Sequence, residues 1–195
     1  PALRQEGKTG GEAVMSDKAD PFMPEVRGKL VYSCIGCGQR YDIFDFIYTC
    51  PACRSLLKIE NTAFEGMKAT PPETWREIFD ARRNSNVLEI QGVFRFHELI
   101  LPIIPLADII YLGEGNTPIV RANRDLTDWV GVPFYVKNDG FNPSASFKDR
   151  GMASAISFLN HAIRVKDLES VLGICASTGD TSAAAALYQI GRAHV

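Results

Sequence analysis

Asn142-Pro143-Ser144-Ala145-Ser146-Phe147-Lys148-Asp149-Arg150-Gly151 is the stretch on which the fold turns. It passes from a Pro-containing turn into a long helical pattern. From about residue 147 to 163, Met152, Ala155, Ile156, Leu159 and Ile163 recur at i, i+3 and i+4 spacing and form one apolar stripe. Ser146 is the expected N-cap. Asp149, three residues on, makes a shortened capping box and sets a carboxylate at the positive end of the helix. Lys148 runs against that rule, because an ammonium in the first turn meets the helix dipole unfavourably. Such a lysine is either simply solvated, or its amine is kept neutral or covalently linked, which primes it for nucleophilic and base chemistry.

Outward from this helix the chain alternates. Residues 113–118 form a Gly/Asn/Pro turn, 124–130 a helix and 133–137 a strand. Beyond the long helix, 171–176 is a continuous apolar run of strand length that includes Cys175, read as a small buried hydrophobe. Ser177-Thr178-Gly179-Asp180 then breaks the run, and 183–188 is strongly helix-forming. Strand, helix, strand, loop, helix predicts an α/β domain with a parallel sheet. The amides and hydroxyls of 177–181, at a helix start, suit either an anion site or an ordinary cap.

Upstream, Cys34-Ile35-Gly36-Cys37 and Cys50-Pro51-Ala52-Cys53 are two CxxC knuckles, the composition of a four-thiolate tetrahedral zinc site. Short β-type runs at 30–32, 39–41 and 56–59 carry too little apolar material for a core of their own, so a metal would supply folding energy. Four thiolates leave no position for water, which favours a structural metal over a catalytic one. Free or redox-active cysteines are the alternative. A nucleic-acid-binding ribbon is another, but Arg40, Arg54 and Lys58 are few and are offset by Asp42 and Asp45. Phe44, Phe46, Tyr48 and Phe64 are expected to form a core around the ribbon. Residues 61–110 read as a connector, with a helix opening at Thr70-Pro71-Pro72-Glu73 and carrying Trp75, Ile78 and Phe79. Arg95 and His97 could face a cleft or pack at the domain boundary, and are assigned packing roles; His161 is expected to be a solvated or helix-end residue.

The whole chain, 195 residues with 46% hydrophobic and 23% charged residues and a net charge of -2, has material for one medium domain or two small ones. There is no global basic surface for nucleic acid or anionic membrane. No apolar run approaches the roughly 18 to 20 residues of a spanning helix. A cytoplasmic location and a small-molecule substrate follow as expectations. The first 28 residues lack periodicity and are expected to be a flexible lead-in, with Met15 as a plausible start. Residues 189–195 cut off a helical pattern and read as a non-native tail, so His194 is set aside.

The decapeptide at 142–151 resembles the cofactor-lysine segment of the fold type II pyridoxal enzymes, where Asn-Pro-Thr-Gly-Ser-Phe-Lys-Asp-Arg-Gly is typical. Ser144 and Ala145 stand where Thr and Gly are usual. The turn at 113–118 and the loop at 176–182 also resemble segments of that group, in the same order. With the cysteine ribbon and the connector Gln91-Gly92-Val93-Phe94-Arg95-Phe96-His97-Glu98-Leu99, the chain from about 29 to 188 resembles the N-terminal part of the threonine synthases. The resemblance implies a truncated α/β fold of the tryptophan synthase β-like type, led by a zinc-ribbon-like module. Its implied divisions are 1–28, 29–60, 61–110, 111–188 and 189–195: lead-in, ribbon, connector, start of the cofactor domain and tail.

It further implies pyridoxal 5'-phosphate held by Lys148 as a Schiff base, with Lys148 also acting as general base, and Asp180 beside the cofactor ring. Ser177, Thr178 and Thr181 would contact the substrate's anionic groups, and a structural zinc would sit on Cys34, Cys37, Cys50 and Cys53. The substrate would be O-phosphohomoserine and the products threonine and phosphate, with this chain alone inactive. No nucleic-acid or membrane partner is implied, and a homodimer is left open. Cysteate synthase and threonine dehydratase share the lysine and the anion loop. A ribbon interaction module fused to an inactive α/β domain is the reading from a different class.

Overall fold

A CxxC knuckle directs two thiols to one point only where the chain reverses tightly, and a short sheet holds two such reversals together at the N-terminal end. The computed structural model describes residues 22–169 and 171–192. In it β1 (Leu30–Cys34) is the central strand, antiparallel to β2 (Arg40–Asp42) on one side and β3 (Leu57–Asn61) on the other. Val31 stands opposite both Asp42 and Glu60. These are the three short β-type runs of the sequence. The aromatic residues around them do not form a local core: Phe46, Tyr48 and Phe64 are exposed. Phe44 leaves the ribbon instead and stacks on Phe158, ring centroids 5.7 Å apart and planes at 4°.

The connector carries α1 (Phe64–Met67), α2 (Pro72–Arg83), 3-10 turns at Leu88–Ile90 and Val93–Phe96, α3 (His97–Ile100) and a further 3-10 turn at Leu106–Asp108. Pro72 opens α2 where the missing N–H costs nothing. Trp75 stacks on Phe79 at 5.6 Å, and Phe79 meets the edge of Phe96 at 4.9 Å. Arg82, near the end of α2, is 1% exposed and forks onto Glu98 at 2.7 and 2.6 Å. It also donates to the Arg95 and Phe22 carbonyls, so contacts to the body begin ahead of β1. Removing one member of such a pair leaves a buried charge unmatched, a loss of about 3–5 kcal/mol. Periodicity gave no sign of this pair, because it joins two elements and not two positions of one.

β4 (Ile119–Arg121) and β5 (Tyr135–Lys137) follow, joined through α4 (Arg124–Val130). Asn123 caps α4 by accepting from Leu126 N, and Gly131 closes it with φ 83°. The strands pair antiparallel, Val120 opposite Val136. α5 (Lys148–Lys166) and α6 (Asp180–Arg192) then pack on each other. Phe94, Ile104, Ile109, Ile110, Ala153, Ile156 and Tyr188 form one buried cluster that joins the connector to both helices.

The expected parallel sheet is absent among the described residues. Residues 171–176 have no regular secondary structure, with Leu172 and Ile174 84% and 85% exposed, and Cys175 is exposed and not buried. The reason is that a strand exists through its neighbours: an apolar run of this kind is suited to cover on both faces, and no described segment lies beside it to form a ladder. No helix among the described residues is long and apolar enough to cross a membrane. Of the expected lead-in at 1–28, residues 1–21 with Met15 lie outside the described residues; of the expected tail at 189–195, residues 189–192 close α6 and 193–195 lie outside the described residues.

Candidate active site and cysteine centre

The turn ahead of α5 is fixed by its own side chains. Asn142 donates to the Asp139 carbonyl at 2.8 Å and accepts from Gly115 N at 3.0 Å, which ties the decapeptide to the 113–118 turn. Arg150 donates to Asp139 Oδ1 at 2.7 Å and to Thr117 Oγ1 at 3.1 Å, and Lys137 donates to the Thr117 carbonyl. Through its hydrogen bond, the Arg150 guanidinium holds the Asp139 carboxyl below its ordinary range.

The cap differs in detail from the expectation at Ser146. Asp149, fully buried, reaches back past Ser146 and accepts from Ser144 N at 2.7 Å and Ser144 Oγ at 2.6 Å. Ser146 Oγ accepts from Lys148 N at 3.3 Å. The box therefore closes two residues earlier, and the intervening Ala145 takes φ 59° to let it close. Lys148 is the first residue of α5 and half-buried, with Nζ 4.3 Å above the Phe147 ring. Among the described residues it has no carboxylate partner.

Beside this turn Glu114 is fully buried. Tyr188 Oη and Leu112 N both donate to its Oε2, at 2.8 and 3.1 Å, while Oε1 has no partner among the described residues. Burial pushes the Glu114 carboxyl above its usual range, and burial together with Glu114 raises the Tyr188 phenol. A Cβ on Gly92 would lie 2.6 Å from Tyr111 and 2.7 Å from Glu114, so only glycine lets the connector approach here.

At α6, Ser177 Oγ accepts from Gly179 N at 3.3 Å, and Ser182 Oγ donates to the Gly179 carbonyl at 2.8 Å. Thr178 and Asp180 are exposed, and Ser177 and Thr181 half-buried. Lys148 and the 177–181 loop thus stand at the starts of two helices packed on each other. No hydrogen bond among the described residues joins them directly.

In the ribbon, the sulfurs of Cys34, Cys37, Cys50 and Cys53 all lie within 4.8 Å of one another. Cys34 and Cys53 are 3.4 Å apart, and Cys37 and Cys50 3.6 Å. The edge of a tetrahedron with metal–sulfur bonds of about 2.3 Å is about 3.8 Å, so the spacing fits one ion held by four thiolates. Gly36 N and Cys37 N point at Cys34 Sγ, at 3.3 and 3.4 Å. Tyr41 Oη lies 3.1 Å from Cys50 Sγ and holds that thiol low, at about 6.

The connector histidine packs as expected: His97 is 1% exposed, Nε2 meets the Ile104 carbonyl at 2.6 Å, and burial lowers its pKa. His161, in the C-terminal part of α5, is largely covered. Its Nδ1 is 2.7 Å from Asp108 Oδ2, Arg164 donates to Asp108 Oδ1, and its ring lies against Phe44.

A sequence model of the pyridoxal-phosphate dependent enzymes matches residues 110–189, the span that holds the 113–118 turn, Lys148 and the 177–181 loop. Over this span the chain is similar to that family. Relatives of the chain extend the match into the ribbon and connector. It is 38% identical over 161 residues to threonine synthase of Methanocaldococcus jannaschii, which covers 82% of this chain and 35% of that protein. Over 162 residues it is 31% identical to threonine synthase of Methanosarcina acetivorans, covering 80% and 33%. With threonine synthase of Halalkalibacterium halodurans the identity is 43% over 98 residues, covering 50% and 26%. The chain thus spans about a quarter to a third of the length of these relatives.

Proposed function

We propose that this chain is the N-terminal part of a threonine synthase, a lyase that converts O-phosphohomoserine and water to threonine and phosphate. The observation that carries the reading is Lys148. Its amine has no ion-pair partner among the described residues and stands at the first position of a helix whose preceding turn is locked by Asp149 on Ser144. The residues present fit pyridoxal 5'-phosphate in that respect, since an unpaired amine on a rigid element is what an aldehyde cofactor requires of its anchor. When bound, the cofactor supplies an electron sink for charge developing at the substrate's α-carbon.

The chain's own residues do the rest. Lys148 would hold the cofactor through Nζ, and the same amine would accept the substrate's α-proton and return it further along the substrate. Ser177, Thr178 and Thr181 bind the substrate's anionic groups through hydroxyls and the amides of the α6 start. Asp180, exposed at the first position of α6, would stand on the cofactor's side of the site. Cys34, Cys37, Cys50 and Cys53 hold a structural zinc, supported by the sulfur spacing. The ribbon at 29–60, the connector at 61–110 and the cofactor domain from 111 make up a fold type II enzyme with its metal module in front, working in the cytoplasm, where thiols stay reduced.

Two measurements on the full-length protein test this. Lys148→Ala is expected to abolish both activity and the visible absorbance of the lysine-bound cofactor; retention of that absorbance refutes the assignment. Phosphate release from O-phosphohomoserine, with none from O-phosphoserine and no ammonia from threonine, separates this reading from cysteate synthase and threonine dehydratase.

A further inference from the structure

The connector and the 113–118 turn enclose a cleft of about 620 Å³ that the lysine chemistry does not use. Four cations line it, Arg83 and Arg95 from the connector and Lys137 and Arg150 from the α/β part, and no carboxylate does. Two of them are already satisfied: Arg150 on Asp139 and Lys137 on the Thr117 carbonyl. The other two are not. Neither Arg83 nor Arg95 has an ion-pair partner within 4 Å among the described residues.

Arg95 is held in place without a counter-charge. It lies over the Phe96 ring at 4.5 Å, and its Nη1 is 3.5 Å from Asn116 Oδ1. Asn116 is itself fixed by donating to the Gln91 carbonyl at 2.8 Å, and Gly92 lets the two segments close up. Burial and the neighbouring Arg83 both lower the Arg95 pKa, and Asp80 offsets this only in part. A pair of close guanidinium groups brought together by a rigid connector repel each other unless an anion lies between them and the facing cations.

Lys148 does not line the cleft. Lys148 and Arg150 are two positions apart on one helix, about 200° around its axis, so their side chains leave on different sides.

We propose that this cleft is a second, separate binding site that takes a phosphate group, with Arg83 and Arg95 as its main ligands and Arg150 and Lys137 as the facing positive wall. Bidentate guanidinium contacts match the geometry of phosphate oxygens, and a doubly charged oxyanion offsets the most repulsion. The inference does not rest on the cofactor reading.

The test is calorimetric titration of the full-length protein with inorganic phosphate at low ionic strength, against chloride at matched ionic strength. Saturable phosphate binding is expected, unchanged in Lys148→Ala and weakened roughly tenfold in Arg95→Gln and in Arg83→Gln, the loss of a charge-assisted hydrogen bond. Arg83 is exposed, so its substitution leaves folding intact. Binding that vanishes in Lys148→Ala, that both arginine variants retain, or that is never saturable overturns the proposal.

A second arm identifies the source of the phosphate group. If O-phosphohomoserine displaces phosphate from the Lys148→Ala protein, the cleft takes the phosphorylated amino acid. If it does not, the cleft takes free phosphate. Failure of the protein to form threonine would sink the functional reading and leave the phosphate titration untouched.

Discussion

Ala145 carries the clearest local cost. With φ at 59° it occupies the left-handed region, where a Cβ crowds the carbonyl and costs about 1–2 kcal/mol. The conformation is kept because it lets Asp149 close on Ser144, which a right-handed residue there would prevent. Ala145→Gly is therefore expected to stabilise the fold, by under about 1 kcal/mol, since the relief is partly cancelled by glycine's freedom when unfolded. A rise in the urea midpoint with unchanged slope would show it; a fall would mean the turn is not strained. Glu114 gives a pH prediction. Burial raises its folded pKa above the unfolded value, so the folded state binds the proton more tightly. The associated stability is fully present below the ordinary carboxylate range and is lost as pH rises through the raised value. Glu114→Gln should flatten the fall in melting temperature above the ordinary carboxylate range relative to the parent, because the titrating group is gone while Tyr188 keeps an acceptor.

At the level of elements, the ribbon and the lysine helix are connected by one ring. Phe44 projects from the loop between the two cysteine pairs and stacks on Phe158 of α5, while His161 beside it is pinned by Asp108. Three short strands bury few apolar side chains, so a metal on the four thiolates would carry much of the module's folding energy, about 10–16 kcal/mol in small zinc modules. Chelation of the metal from the full-length protein is expected to unfold residues 30–61 and free Phe44, seen as lost near-ultraviolet dichroism and new protease sites in the ribbon. An unchanged ribbon after metal removal would contradict the four-thiolate assignment. The elements themselves were largely legible. The α2 start at Pro72, the span of α4 and the length of α5 follow from Pro, Asn and Gly signals and from periodicity. The displaced cap on Ser144 was not: local spacing points to Ser146, and only the turn geometry brings Ser144 N and Oγ to Asp149.

For the whole molecule, the distribution of apolar surface is uneven. The core joins the connector to α5 and α6, yet 171–176 lies open, and Trp129 and both faces of the β4–β5 pair are exposed. An unpaired apolar run with free backbone groups is a template for association. The 195-residue chain by itself is expected to self-associate at micromolar concentration, and Ile174→Lys to suppress this in light scattering. In the full-length protein the same substitution should be destabilising, because there the run would gain the neighbours it needs. Equal behaviour in both contexts would count against 171–176 being a sheet strand of the longer protein.

The sequence alone determined the chemistry-bearing points. Two cysteine pairs at metal spacing, a lysine at a helix start and a Ser/Thr loop at a second helix start are local patterns, legible because their spacing is set within a few residues of chain. The tertiary structure decided what lies between distant segments: the Arg82–Glu98 pair, Glu114 beneath Tyr188, the stacking of Phe44 on Phe158 and the four-cation cleft. Each of these depends on which elements pack together. The same dependence explains the strand that did not form, since residues 171–176 have the composition of a buried strand, and composition does not supply a neighbour to bond with.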